Sequence, residues 1–312
     1  MLRLRKNRKN HENTVPFFCY HFRRRGETTM QESIQTITAA VDYIESRLYE
    51  RPDLETAARA LHYSKYHLHH IFTDIAGLTI HQYIQRRRLT EAARMLVFSD
   101  QPILEIALSA GYESQQAFTD SFRAMYKKPP RRYRTERKFY PLQLRFVPNP
   151  CPAFLAGNEW REKIAFAVRG DIPGWLNLVR LSIDGFPHLD EAEHLERLSE
   201  CIQNRCALIL KDGKTVIGGM AFERETGEIH FLAVHPQYRK EGIERAFCEK
   251  LLHGLTAAPE ISVTTFRSGD RADTGHRKAL QNMGFMEDRL LVEFGYPTQR
   301  LVLRREAGDG DV

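Results

Sequence analysis

Between positions 232 and 243 the chain reads Leu-Ala-Val-His-Pro-Gln-Tyr-Arg-Lys-Glu-Gly-Ile, an apolar run that closes in a basic loop and a glycine. Arg239 and Gly242 stand three apart, just ahead of an amphipathic stretch that reads as a helix to Leu252. Strand, basic glycine loop, then helix start is an order that suits an anion. The first N–H groups of a helix lack intrahelical acceptors, the helix dipole is positive there, and a glycine lets the backbone close on the ligand. Arg-x-x-Gly alone is a weak signal, because a surface turn ahead of a helix is written in the same letters. Upstream, Glu228 and His230 lie on the strand that leads into the loop. A carboxylate at Glu228 could take a proton from an ammonium as a general base. A solvated strand-start glutamate beside Gly227 has the same sequence, and both readings stay open. His230 is the weaker candidate, since half-buried strand histidines usually only pack.

A second set of polar side chains sits on a repeated frame. Residues 54–64, Leu-Glu-Thr-Ala-Ala-Arg-Ala-Leu-His-Tyr-Ser, return fifty positions later as Leu-Glu-Ile-Ala-Leu-Ser-Ala-Gly-Tyr-Glu-Ser at 104–114, and Leu68/Phe72 match Phe118/Phe122. Each copy is a helix, a short turn, a capping serine (Ser64 or Ser114) and a second helix whose i,i+4 apolar pair turns inward. Ala57 and Ala107 are small where the paired helices must cross. The pattern is a helix-turn-helix in duplicate. Opposite the apolar pairs, the second helices present Lys65, Tyr66, His69 and His70 in one copy, and Gln115, Gln116 and Thr119 in the other. A glutamine can bridge N6 and N7 of adenine, so these are candidate base contacts. His67, His69 and His70 have no cysteine or acidic partner at ligand spacing, so no metal is expected.

The intervening elements must hold the two copies at a fixed separation. Residues 31–49 read as a first helix, with Ile34, Ile37, Val41, Ile44 and Leu48 near helical spacing. Asp53 is the expected N-cap of the first repeat, and Gly77 its helix stop. Thr79-x-x-Gln82 is a capping box for a helix reaching about Val97. That helix spans about 27 Å at about 1.5 Å per residue. It can hold the two second helices near one DNA turn apart, roughly 34 Å, so that one chain reads two successive major grooves. With no heptad zipper in the sequence, the expectation is a monomer on DNA.

The run 103–122 followed by Pro129-Pro130-Arg131-Arg132-Tyr133-Arg134 resembles the AraC/XylS family of bacterial regulators. Ser64-Lys65-Tyr66-His67-Leu68 and Gln115-Gln116 are closest to its small monomeric branch. The resemblance covers about 30–137 and implies double-stranded DNA as partner, with Arg131 and Arg132 among the contacting residues. Two departures stand out: Lys127 occupies a place where many members have glycine, and Asp120 one where that branch has a DNA-contacting arginine.

Residues 161–305 are similar to the GNAT acyl-CoA N-acyltransferases, on the strength of the 232–243 run and of Asn282-Met-Gly-Phe285 on a later helix. This likeness implies acetyl-CoA held by the backbone of Leu232, Ala233 and Val234 and by a loop holding Arg239, Lys240, Gly242, Ile243 and Arg245, with a small-molecule amine as acceptor. The family has glycine or alanine where this chain has Glu244. Many members have a tyrosine general acid where this chain has Leu280. Three roles for this half stay open: a small-molecule sensor, a working acyltransferase, and a non-catalytic interaction module.

Composition sets the outer limits. With 312 residues and 42% hydrophobic content there is room for two domains with their own cores. The net charge of +6 is uneven: residues 1–30 hold eight basic and two acidic groups, 31–140 hold 16 and 13, and the remainder 22 and 25. Clusters at Arg86-Arg87-Arg88 and at Arg131, Arg132, Arg134, Arg137 and Lys138 therefore say more about nucleic acid than the net charge does. Five scattered cysteines suggest reduced thiols and a cytoplasmic protein, and no apolar run reaches the roughly 18 residues of a membrane span. The expected architecture is multidomain. Residues 1–29 are a disordered arm or a mis-called extension. An all-α double helix-turn-helix domain at 30–137 has its units near 53–75 and 103–126. A proline-marked linker at 138–160, a mixed α/β domain at 161–305 and a tail at 306–312 complete it. In the α/β domain, strands are expected at 163–168, 206–210, 216–222, 228–234, 261–266, 290–294 and 300–304.

Overall fold

The computed structural model describes residues 27–150, 159–182, 190–293 and 295–305. Most of the basic arm and all of the 306–312 tail thus lie outside the described residues. Helix α1 (Glu27–Ser46) begins four residues before the helix expected at 31–49 and ends three residues short of it. The double repeat follows: α2 (Leu54–Ala60) and α3 (Lys65–Ala76), then the long α4 (Ile80–Phe98), then α5 (Ile103–Ser109) and α6 (Gln115–Tyr126), closed by α7 (Pro130–Glu136). Ser64 and Ser114 cap α3 and α6, each hydroxyl accepting from a backbone N–H at 3.2 Å, His67 in one copy and Ala117 in the other. Asp53 caps α2 through a box with Thr56, and Thr79 caps α4 through a box with Gln82. Ala57, Leu68, Phe72, Ala107, Phe118 and Phe122 are all fully buried, as their spacing requires.

The second half is a seven-stranded sheet in the order β1-β2-β3-β4-β5-β7-β6. Its strands are β1 (Ala165–Phe166), β2 (Ala207–Asp212), β3 (Thr215–Phe222), β4 (Glu228–Val234), β5 (Glu260–Phe266), β6 (Met286–Glu293) and β7 (Tyr296–Arg304). Helices α8 (Ile172–Leu181) and α9 (Glu191–Gln203) cover one face through Trp175, Leu178 and Leu198. Helices α10 (Ile243–Gly254) and α11 (His276–Asn282) cover the other through Phe247, Leu251 and Leu280. All neighbours are antiparallel except β4 and β5. Three strands differ from expectation. β1 keeps only two of the six residues read from alternation. β6 and β7 both begin four residues earlier than their pattern suggested. Met286, Glu287, Asp288 and Arg289 are exposed on this edge strand, so no burial period marks it, and β7 is the one strand it pairs with among the described residues.

Within the stretch expected to be a linker, 138–160, residues 139–149 form a largely buried seam, and 151–158 lie outside the described residues. Tyr140, Leu142, Phe146 and Asn149 are buried. The N–H groups of Leu142 and Gln143 both donate to the Thr90 hydroxyl at 3.0 Å. The Asn149 amide donates to the Tyr238 hydroxyl at 2.7 Å, tying the seam to the second domain. The prolines mark an extended chain, and here that chain is packed against both domains. The cluster Arg86-Arg87 needs correction as well. Both side chains are buried and serve the fold. Arg86 donates to the Leu142 and Ala272 carbonyls, both at 3.0 Å. Arg87 makes a two-pronged pair with Glu45 at 2.8 Å and donates to the Gln143 carbonyl. They lie on the inner side of α4, where hydrogen bonds to carbonyls and a carboxylate offset the cost of burying a guanidinium.

Candidate nucleic-acid interface and anion cradle

The two reading surfaces follow from the repeat. In each copy the turn between helices is closed by a backbone bond from Tyr63 to Ala58 (2.9 Å) or from Tyr112 to Ala107 (3.0 Å). A left-handed residue, His62 or Gly111, makes the turn. The inward i,i+4 pairs then leave one face of each second helix outside. Lys65, Tyr66 and His70 on α3, and Gln115 and Gln116 on α6, are exposed, while His69 and Thr119 are half-buried at the same faces. Tyr66 is 76% exposed. Its ring packs edge-on against His70, 4.2 Å between centroids, which fixes the two rings relative to each other. Two others have local partners: Lys65 pairs with Glu55 at 2.7 Å, and the Gln116 amide donates to Asp120 at 3.1 Å. Asp120, one of the departures, thus orients the glutamine beside it. Arg131 and Arg132 are exposed on α7, Arg132 paired with Glu136 at 2.9 Å.

In the second domain, β4 and β5 pair at Glu228–Ser262 and Ile229–Val263 and then part. On its other side β4 stays on β3, with one extra residue at His230 where the register slips between Phe231 and Ile229. The backbone of Leu232, Ala233 and Val234 therefore runs beside the opening between the two parallel strands. His235 ends it: the ring accepts from the Gln237 N–H at 3.3 Å and caps a single 3-10 turn. Burial, and then the Arg239 charge, lower its pKa to about 4, so it is neutral. Gly242 then takes φ +74° as N-cap of α10, a left-handed geometry that favours glycine. No atom lies within 4 Å of where a Cβ would stand there, so the helix start has room above it.

The charged residues around this opening are arranged less simply than the spacing implied. Glu244 is half-buried in the first turn of α10. Burial raises its carboxyl above the usual range, against a hydrogen bond from its own backbone N–H and the charge of Arg239. The carboxylate thus rests on one of the donors that an anionic ligand would use. Arg245 donates to the Asn282 carbonyl at 3.1 Å and so serves the end of α11. Ile243 is fully buried, its side chain in the core between α10 and the sheet face that α10 covers. Lys240 pairs with Asp74 on α3 at 2.5 Å. Leu280 is fully buried in the core beneath α10. Glu228 is exposed, 3.9 Å from the His230 ring, at the end where β4 and β5 are still joined.

A duplicated helix-turn-helix with two open reading faces, joined to an acyltransferase-type sheet, defines a two-domain DNA-binding transcription regulator. Comparison with known proteins gives the same division. The helix-turn-helix domain model matches residues 57–136 and the acetyltransferase (GNAT) family model residues 175–280. The uncharacterized HTH-type transcriptional regulator YbfP of Bacillus subtilis is 39% identical over 104 residues, 33% of this chain but only 35% of YbfP's own length. The multiple antibiotic resistance protein MarA of Escherichia coli is 39% identical over 99 residues, 32% of this chain and 78% of MarA. A GNAT-family acetyltransferase from Bacillus cereus is 13% identical, with 46% of this chain and 96% of that one aligned at a TM-score of 0.37. The chain belongs to the AraC/XylS family, and its C-terminal half is a GNAT acetyltransferase domain.

Proposed function

We propose that this regulator binds DNA as a monomer across two major grooves, and that its second domain binds an acyl-CoA as an effector. The observation that carries the second part is the glycine-opened start of α10 beside the parting of β4 and β5. Leu232, Ala233 and Val234 would supply backbone to the pantetheine arm, and the N–H groups after Gly242 would meet the pyrophosphate. The space at Gly242 admits such a group, whereas the Glu244 carboxylate weakens its hold. The buried Leu280 offers no proton to a departing thiolate, which favours binding over turnover.

Acetyl transfer to an amine is the second reading, favoured by the exposed Glu228–His230 pair. In it Glu228 takes the ammonium proton as the bound acyl-CoA supplies the acetyl group. Calorimetry with acetyl-CoA on the full chain tests the cradle, and micromolar affinity, about −8 kcal/mol, is expected. The full chain is needed because the 139–149 seam belongs to both domains. Release of free thiol on adding polyamines, abolished by Glu228→Gln, would establish the second reading. A footprint confined to one groove would overturn the monomeric two-groove arrangement.

A further inference from the structure

Both reading helices end against the second domain, at matching places in the repeat. Gly77 and Lys127, fifty residues apart, are the left-handed C-caps of α3 and α6, at φ +72° and +58°. Arg239 lies against Gly77, with Nη1 3.0 Å from where a Cβ would stand. Just before the cap, Asp74 accepts from Lys240 at 2.5 Å. At the other helix, Lys127 donates to Asp270 at 2.7 Å and lies 5.4 Å from the centre of the Tyr296 ring. The two contacts differ in strength. Around Lys127, Phe266, Ala272 and Tyr296 pack into one core with Tyr126, Tyr133 and Tyr140. The contact that Arg239 and Lys240 make with the end of α3 is polar, and its ion pair is 72% and 39% exposed, a kind of pair that adds little stability. Among the described residues, the apolar contact nearby is limited to Leu181 of α8 and the seam residue Phe146. The second domain is thus anchored on α6 and only clipped to α3. The clip is made by the two cations that precede Gly242 in the cradle loop.

We propose that the second domain is a strut that sets the separation of the two reading helices, and that acyl-CoA opens its clip on α3. This rests on the reading that the cradle binds acyl-CoA. A polyphosphate at the start of α10 draws Arg239 and Lys240 toward itself. The side chain that meets it then leaves Asp74 or the end of α3. With the clip closed, the exposed faces of α3 and α6 are both available to DNA and their spacing is fixed. With it open, the first helix-turn-helix keeps its packing on α1, α4, the seam and Leu181 but loses its polar tie at the end of α3, and DNA must pay to order it. The pyrophosphate contact exists only in the open form, which is the differential affinity that a shift between states requires. Acyl-CoA therefore weakens DNA binding, and DNA weakens acyl-CoA binding by the same factor.

The test uses the full chain, a duplex enriched by the chain itself from a random pool, and acetyl-CoA as the probe. Calorimetry gives the acetyl-CoA affinity, and fluorescence anisotropy the DNA affinity with and without saturating acetyl-CoA at one ionic strength. The expected ratio of the two DNA Kd values is about fivefold, the low end for coupled sites, because the clip is exposed. Asp74→Ala leaves the cradle loop intact. It should still bind both partners, with the ratio close to one. The ratio cancels the direct gain from removing a negative charge near phosphate, and separates the clip from simple repulsion between two polyanions. Acetyl-CoA that binds without changing wild-type DNA affinity, or a wild-type ratio in Asp74→Ala, overturns the clip and leaves the cradle standing. Absence of binding at millimolar acetyl-CoA overturns both.

Discussion

Lys127 replaces the glycine that the family resemblance implies at the end of α6, so Lys127→Gly should remove backbone strain. The structure predicts a loss of stability instead. A non-glycine residue in the left-handed region costs about 1 kcal/mol. Glycine returns much of that as extra freedom in the unfolded chain, roughly 0.5–1 kcal/mol. These two effects nearly cancel, and the side-chain contacts decide the sign. Lys127 donates to the Ala124 carbonyl at 2.6 Å and to Asp270 at 2.7 Å. Asp270 is 4% exposed and Lys127 22%, so the pair is largely shielded from water. A hydrogen bond between charged groups adds about 1.5–3 kcal/mol, and the contact with Tyr296 roughly 0.5 kcal/mol more. Asp270 is not stranded by the change, since it keeps the Ala272 N–H at 2.8 Å and the Tyr296 hydroxyl at 3.1 Å. The expected net loss is about 2 kcal/mol, toward the lower half of the sum. Urea unfolding of wild type, Lys127→Gly, Asp270→Asn and the double variant measures it. Two optical probes and constant m values are needed, because a two-domain chain need not unfold in one step. A coupling of about 1–2 kcal/mol is expected from a pair of this burial. If Lys127→Gly is as stable as wild type and the coupling is below about 0.3 kcal/mol, strain relief has won and the interface argument fails.

Three further outcomes follow from the site geometry. The buried His235 has its pKa lowered to about 4, while an unfolded histidine titrates near 6.5. The unfolded chain then binds the extra proton, so stability is full above about pH 6.5 and falls by about 3 kcal/mol as pH drops toward 4. His235→Phe should flatten Tm against pH in that window, and an unchanged slope would count against the assignment. For Glu244, whose carboxyl burial raises, acetyl-CoA affinity should improve as pH falls through that raised pKa. Glu244→Gln should bind more tightly at neutral pH, more so at low salt, without the wild-type pH trend. Equal affinities at low and high salt would place the carboxylate outside the cradle. Gln116→Ala should relax the preference at one base pair by about 1–3 kcal/mol in a selection assay. If base preferences survive substitution of Tyr66, His69, His70, Gln115, Gln116 and Thr119 together, the reading faces are wrongly assigned.

The sequence by itself determined whatever is written in short-range periods. The helix-turn-helix repeat was legible because Leu68/Phe72 and Phe118/Phe122 recur at helical spacing and because Ser64, Asp53 and Thr79 are caps with a local mechanism. The sheet was legible where strands are buried on both faces, as in β2, β3 and β4, and illegible at β6, whose residues face water. Gly242 could be placed as a helix opener from its neighbours alone. Tertiary structure decided what long side chains do. Arg86 and Arg87 read as part of a basic surface, yet α4 turns them inward, to carbonyls and a carboxylate up to 186 residues away in sequence. Lys240 read as a phosphate contact and pairs with Asp74, 166 residues earlier. Lys127 read as a departure from a glycine and is an anchor on Asp270. A four-carbon stem reaches several ångströms in any direction, so its partner is set by how elements pack, and no local period records it.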